Sequence, residues 1–291
     1  MNNISTLKDK ISDGDPLNRT DAINSFDGEI TSEVLVIFRK TLSDESPKVR
    51  YATLCRLNNC IDNETIDTVT NLLYDANDTI SIKAALILGT INSDGAAKVQ
   101  KQLFKRIKEC TGEQTKLKAS IIQSLGRIAS MKELSQLLPF LEDENDRVRA
   151  NVIEAIDAVY RRDFEEHIDI LLDDPNNRVR GNAIVSLWKY NPKRCIAVLE
   201  EMVNSENKWF KLSAIWAAGE IASPKTLQIV GELKDDEDTD VRILVMKTMA
   251  SSSFFDCVNV LKAGVQDDDT TVSYYARKAL DALEKSKGLS D

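Results

Sequence analysis

The chain has 291 residues, of which 42% are hydrophobic, 6% aromatic and 29% charged, with only 11 Gly and 6 Pro. So few turn formers exclude a many-stranded β fold, and the aliphatic bias fits helices with a wide, wet surface. A net charge of −9 argues against general nucleic-acid binding, which must neutralise phosphates with Lys and Arg, and no apolar run of about 18 residues predicts membrane insertion.

The opening stretch MNNISTLKDKISDGD is polar and lacks the apolar core of a signal peptide, so a cytoplasmic location is expected. The five cysteines (Cys55, Cys60, Cys110, Cys195, Cys257) form no CxxC motif and are odd in number. Free thiols in a reducing compartment are therefore expected.

An internal period then takes over. The phrase DRVRANVIEAI recurs as NRVRGNAIVSL one unit later. Anchored on the second Arg of each, the repeat falls at Arg19, Arg50, Ser81, Lys118, Arg149, Arg180, Lys211, Arg242 and Ser273. Seven of the eight intervals are 31 residues, and the one from Ser81 to Lys118 is 37. A six-residue insertion therefore lies between the third and fourth anchors.

Each anchor sits on an apolar stripe. The preceding residue is Val49, Ile80, Leu117, Val148, Val179, Phe210, Val241 or Val272 after an initial Asn18. Three past the anchor come Ala22, Thr53, Ala84, Ile121, Val152, Ala183, Ala214, Val245 and Ala276. Seven past it come Phe26, Leu57, Leu88, Leu125, Ile156, Leu187, Ala218, Met249 and Leu280. This spacing places one face of a helix in a core. A shorter amphipathic run, such as ELSQLLPFL or TLQIVGEL, precedes each as a first helix. The acidic turns between them (SDESP, EDENDR, DDPNN, DDEDTD, QDDDTT) carry residues that cap the next helix and suit its positive end.

The pattern L-x-D-x-(x)-x-x-V-R-x-x-A-x-x-A-L at about 31 residues resembles the short prokaryotic HEAT repeats typified by the phycobilisome-lyase family. The resemblance covers essentially the whole chain. It implies an all-α fold: a right-handed α-solenoid, or superhelix, of about nine HEAT-like helix pairs. Residues 1–291 then form a single domain with a short tail over 285–291. Arg277, where other units have Ile153, Ile184 and Ile215, suits a capping repeat, and no room for an attached catalytic domain is expected. The resemblance also implies a ladder of turn Asp and anchor Arg running from repeat to repeat. Arg50, Arg149, Arg180 and Arg242 would be its structural members, with Lys118 and Lys211 as substitutes and breaks at Ser81 and Ser273.

Motifs for chemistry are missing. His167 is the one histidine, so a multi-His metal site within the chain is excluded. Deoxyhypusine hydroxylase, an enzyme built on this repeat, holds iron with several His-Glu pairs, and the chain has no His-Glu dipeptide. There is no nucleophile elbow, GxGxxG or GxxxxGK[ST], and the acidic turns lack calcium-loop spacing. The net charge also has the wrong sign for a HEAT-like DNA glycosylase. No metal, cofactor or catalytic residue is expected.

The expected function is a non-catalytic scaffold or adaptor that binds a partner protein or peptide. HEAT resemblance places that partner on the concave face, lined by the second helices. The alternatives are a bilin lyase or isomerase subunit, or chaperone of a chromophore protein, and a HEAT-like nucleic-acid-binding protein. All three tryptophans fall within 29 residues. Trp216 lies five past its anchor, on the stripe opposite the core. Trp188 replaces a glycine found as Gly89, Gly126 and Gly219 in other units, where neighbouring helices should pass closely. Trp209 lies just before the helix of Trp216. Trp188 and Trp209 taken singly read as core reinforcement, and Trp216 as exposed. The candidate hot spot is Trp216 with Trp188, Val185, Lys189, Leu212 and Trp209. In the insertion, AAKVQKQLFKRIKEC reads as a longer first helix with Val99, Leu103, Ile107 and Cys110 inward. Lys98, Lys101, Lys105 and Lys108, with Arg106 beside them, form a solvated stripe or an electrostatic patch for an acidic partner.

Overall fold

Seven of the nine turns that lead into a second helix carry an Asp that accepts a hydrogen bond from the backbone N–H two residues on. Examples are Asp44 Oδ1 from Ser46 N at 2.8 Å, Asp75 Oδ1 from Asn77 N at 2.8 Å and Asp236 Oδ1 from Asp238 N at 3.0 Å. The residue thus fixed caps the next helix in most turns, as Asn77 does for Thr79 N, Asn176 for Arg178 N and Asp269 for Thr271 N. Two consecutive side-chain turns close the gap between helices in a fixed geometry.

The computed structural model describes residues 4–57, 61–91, 95–157, 164–250 and 255–288, and there they form eighteen α-helices and no strand. The helices fall into two compact units, Met1–Val159 and Tyr160–Asp291. The first pairs α1 (Ile4–Lys10) with α2 (Pro16–Asn24), α3 (Ser32–Thr41) with α4 (Pro47–Arg56), and α5 (Asn63–Asn71) with α6 (Asp78–Leu88). It continues with α7 (Ala96–Glu109) and α8 (Thr115–Ile128), then α9 (Met131–Leu134) and α10 (Asp146–Asp157). The second pairs α11 (Glu165–Asp169) with α12 (Asn177–Leu187) and α13 (Pro192–Val203) with α14 (Lys208–Ile221). It closes with α15 (Pro224–Gly231) and α16 (Thr239–Ala250), then α17 (Phe255–Gly264) and α18 (Thr270–Gly288).

Within each unit, second helices pack on second helices: α2 on α4, α4 on α6, α6 on α8 and α8 on α10, then α12 on α14, α14 on α16 and α16 on α18. The three apolar columns form that core. They are buried at every anchor except at Asn18, Phe210 and Leu280. A Cβ added to Gly89 would come within 2.6 Å of Ser124, and one on Gly126 within 2.7 Å of Ala155. Glycine is required at those positions because the next helix occupies the space.

Some first helices differ from expectation. ELSQLLPFL is mostly a 3-10 turn, Ser135–Glu142, after the four residues of α9. Pro139 lies inside it and has no N–H to continue an α-helix. The last helix is also longer than expected: residues 285–288 of the anticipated tail are its final turn.

The anchors form ion-pair rungs. Arg19 donates from Nε and Nη2 to both oxygens of Asp44 at 2.9 and 2.8 Å. Arg50 does the same to Asp75, and Arg242 to Asp267 at 2.8 and 3.1 Å. Lys118 reaches Asp143 and Lys211 reaches Asp236, each at 2.6 Å. Arg149 donates to the Asp143 and Glu144 carbonyls at 2.8 and 3.2 Å. Every bidentate Arg also ties its own turn together through Nη1, as Arg50 does on the carbonyls of Asp44 and Glu45.

Two rungs depart from the expected ladder. Arg19, not anticipated as a member, makes a full rung. Arg180, anticipated as one, does not, because the position 25 residues on is Ser205 rather than Asp. Its guanidinium instead donates to the Asp174 carbonyl at 2.7 Å and to Glu201 at 2.7 Å, and stacks 5.3 Å from the Phe210 ring centroid. Phe210 is half-buried, where the other apolar members of its column are buried. Ser81 bonds only locally, to the Asp78 carbonyl at 3.0 Å, and Gly112 stands where its aspartate would be.

Candidate functional site

The second unit displays an aromatic face on α12 and α14. Asn176 caps α12 by accepting from Arg178 N and Val179 N at 2.9 and 3.2 Å, and Asn207 caps α14 by accepting from Trp209 N at 3.0 Å. α14 ends where Ala222 turns left-handed at φ 50°, and Ser223 with Pro224 starts the next helix. These stops fix which residues share a face.

On α12, residues 177, 181, 185 and 188 recur at helical spacing, giving Asn177, Gly181, Val185 and Trp188. On α14, residues 209, 212, 213 and 216 do the same, giving Trp209, Leu212, Ser213 and Trp216. The two faces are joined: Asn177 Nδ2 donates to Ser213 Oγ at 2.6 Å and to the Trp209 carbonyl at 3.1 Å. A Cβ on Gly181 would lie 3.5 Å from the six-membered ring of Trp216, so that indole lies over the bare glycine backbone. Trp216 is nevertheless 41% exposed.

Trp209 corrects the expectation of core reinforcement. It lies in the first turn of α14 rather than before it, and is 59% exposed. Its spacing of seven from Trp216 returns it to the same face, two turns away. Lys208 Nζ sits 5.6 Å from its ring centroid while pairing with Asp238 and Asp240 at 3.1 and 3.2 Å. Hydrogen bonding to Asp238 raises the Lys208 pKa, and the same contact lowers that of Asp238.

Trp188, Val185 and Leu212 are half-buried, and Lys189 is exposed. α12 stops at Leu187, so Trp188 is its C-cap. The helices with glycine at the equivalent position in α8 and α14 run on past it. A side chain at Gly126 would meet Ala155, whereas Gly89, like Trp188, is the C-cap of its helix.

The lysine helix α7 resolves differently. Lys98, Lys101, Lys105 and Lys108 are exposed; Lys98 pairs with Asp67 at 2.5 Å and Lys105 with Glu109 at 3.9 Å. Arg106 does not belong to that patch: it is only 6% exposed. Its Nε donates to the Leu73 carbonyl at 2.9 Å and its Nη2 to Gln114 at 3.2 Å, with the guanidinium 5.0 Å from the Tyr74 ring centroid. It joins neighbouring repeats at the site where the rung from Ser81 is missing. Val99, Leu103 and Ile107 are buried, while Cys110 is half-buried at the helix end, where burial pushes its thiol pKa up.

Among the described residues no three His, Cys, Asp or Glu side chains are grouped to hold a metal ion. His167 is exposed, and the described cysteines Cys55, Cys110, Cys195 and Cys257 are free thiols; Cys60 lies outside the described residues. No described helix is long and apolar enough to cross a membrane.

Residues 164–250 match the family model of HEAT repeats. The fold of the chain is an all-helical repeat of HEAT-like pairs. Among solved structures it is similar to YibA of Escherichia coli, at 17% identity over 94% of this chain and 98% of that one, with a TM-score of 0.57. The CpcE–CpcF complex of phycocyanin lyase from Nostoc aligns with a TM-score of 0.51, at 14% identity over 89% of this chain and 97% of that one. Human deoxyhypusine hydroxylase aligns more loosely, with a TM-score of 0.40 at 16% identity over 87% and 96%. At such identities the likeness concerns the fold alone. No curated protein matches the sequence.

Proposed function

We propose that this chain is a non-catalytic scaffold or adaptor whose nine helix pairs act as one domain, binding a partner protein or peptide on the second-helix face of α12 and α14. The carrying observation is Trp216, whose indole lies over Gly181 yet remains 41% exposed. At the equivalent position α8 and α10 expose Gln123 and Glu154, as solvent favours. An exposed indole on a repeat array is typical of an interface anchor, where such residues contribute roughly 2 kcal/mol or more each. Trp209 on the same face extends the anchor, and Val185, Leu212 and Trp188 border it.

The repeats are assigned to the short type of about 31 residues, on the seven equal intervals between anchors. The free thiols favour the reducing cytoplasm as its location. The likeness to phycocyanin lyase, being one of fold, lends no support to lyase chemistry.

The test is affinity capture from the source cell with wild type, Trp216→Ala and Trp209→Ala, each checked by a thermal melt. The reading expects partner recovery to fall at least tenfold in folded Trp216→Ala. Equal recovery by both folded variants would overturn it.

A further inference from the structure

The face bearing Trp216 continues onto α16 and α18, and its chemistry changes along the way. In the position of Trp216, α16 has Lys247 and α18 has Lys278, both exposed. Lys247 Nζ lies 4.4 Å from the ring centroid of Tyr275 on the neighbouring helix, and Lys278 Nζ lies 6.0 Å from that of Tyr274. The two tyrosine rings meet edge to face with centroids 5.4 Å apart, and Tyr274 is 56% exposed. Beside them Arg277, Lys278, Asp281 and Lys285 line a cleft of about 470 Å³.

Lys247, Arg277 and Lys278 have no carboxylate within ion-pair distance among the described residues. Among the described side chains, the acids on this face are Asp281 and, one turn past Trp216, Glu220. Against them stand the described cations Lys247, Arg277, Lys278 and Lys285, a local inversion in a chain of net charge −9. Aromatic rings holding two of the ammonium groups keep them in place for an incoming anion.

We propose that this surface docks an acidic segment of the partner protein, with an apolar side chain against Trp216 and Leu212 and carboxylates along Lys247, Lys278 and Arg277. This rests on the reading of the Trp216 face as the binding site and adds the partner's chemistry. Two helix spacings of about 8–10 Å separate α14 from α18, so about six extended residues at roughly 3.3 Å each span the distance. A nucleic acid fits less well. Its phosphates run on past this short cation row into the acidic remainder of the chain, whereas a short acidic segment can end with the row.

Fluorescence anisotropy on the full chain tests this with labelled 12-residue peptides. Each has one Phe anchor followed by a Glu/Asp run, a Ser/Gln run or a Lys run, with a 12-nucleotide single strand alongside. The acidic peptide is expected to bind at least tenfold tighter than the neutral one at 50 mM salt, and to weaken at 300 mM. Lys247→Glu with Lys278→Glu, and Lys278→Glu alone as a milder variant, should cut acidic-peptide affinity at least tenfold and threefold without lowering the melting temperature. Trp216→Ala should weaken the acidic and neutral peptides alike. Equal binding of neutral or basic peptides, tighter binding of the oligonucleotide, or no peptide binding would overturn the acidic-segment proposal. Lost charge preference with retained Trp216 dependence overturns the partner chemistry alone. Partner capture indifferent to Trp216 overturns the underlying reading.

Discussion

Arg50 grips Asp75 with two parallel hydrogen bonds, Nε to Oδ2 at 2.7 Å and Nη2 to Oδ1 at 2.8 Å, across 25 residues of sequence. Their side chains are 15% and 5% exposed. The aspartate that holds its own turn closed is thus also held by the preceding repeat, so each rung couples local geometry to stacking.

Arg50→Ala should therefore cost more than a surface ion pair. It leaves a nearly buried carboxylate without its cation, and a loss of about 2–3 kcal/mol is expected in chemical denaturation. A change under about 0.5 kcal/mol would show the rung to be dispensable.

Acid should loosen the array through the same groups. The Arg242 hydrogen bonds hold the Asp267 carboxyl below its usual range. For Asp44 and Asp75, burial pushes upward, but hydrogen bonds from Arg19 or Arg50 and from the turn N–H outweigh it and the net shift is downward. Groups with depressed folded-state pKa values contribute stability above their unfolded pKa of about 3.9 and lose it as pH falls through the folded value. Thermal midpoints should be flat from pH 7 to 5 and drop from pH 4 downward. Asp267→Asn should flatten part of that drop; a pH-independent midpoint down to 3 contradicts the account.

Ser205 offers a gain. Its Oγ already accepts from Asn207 N at 3.2 Å, so the turn survives without the charge. Ser205→Asp restores the missing partner 25 residues from Arg180 and should stabilise by about 0.5–1.5 kcal/mol, less at high salt. Differential scanning calorimetry in the Arg180→Ala background provides the control: the gain should vanish there.

The two kinds of cation on α7 should separate cleanly. Arg106→Ala removes hydrogen bonds to the Leu73 carbonyl and Gln114 and is expected to cost about 2–3 kcal/mol. Lys101→Ala and Lys108→Ala, on exposed positions, should stay within about 0.5 kcal/mol. Urea titration of the three variants checks the contrast, and equal effects would contradict it.

The sequence alone determined the helix pairs, because burial of one helical stripe is a periodic demand that leaves Val, Ala and Leu at fixed offsets. It also marked the breaks in the repeat: the two serines among the anchors, the insertion, and tryptophan in a glycine column. Trp216 was legible as exposed because it stood on the stripe opposite the core. The tertiary structure decided what each break does, since a residue that departs from the repeat has no recurring partner to be read from. Nothing local distinguishes Arg106 from the lysines around it until the Leu73 carbonyl and Tyr74 ring arrive from the neighbouring pair. Trp209 likewise lies inside α14, in the first turn after the Asn207 cap, and is exposed there. Arg180 looked like every other ladder arginine, and only the serine opposite it turned the guanidinium toward Glu201 and Phe210.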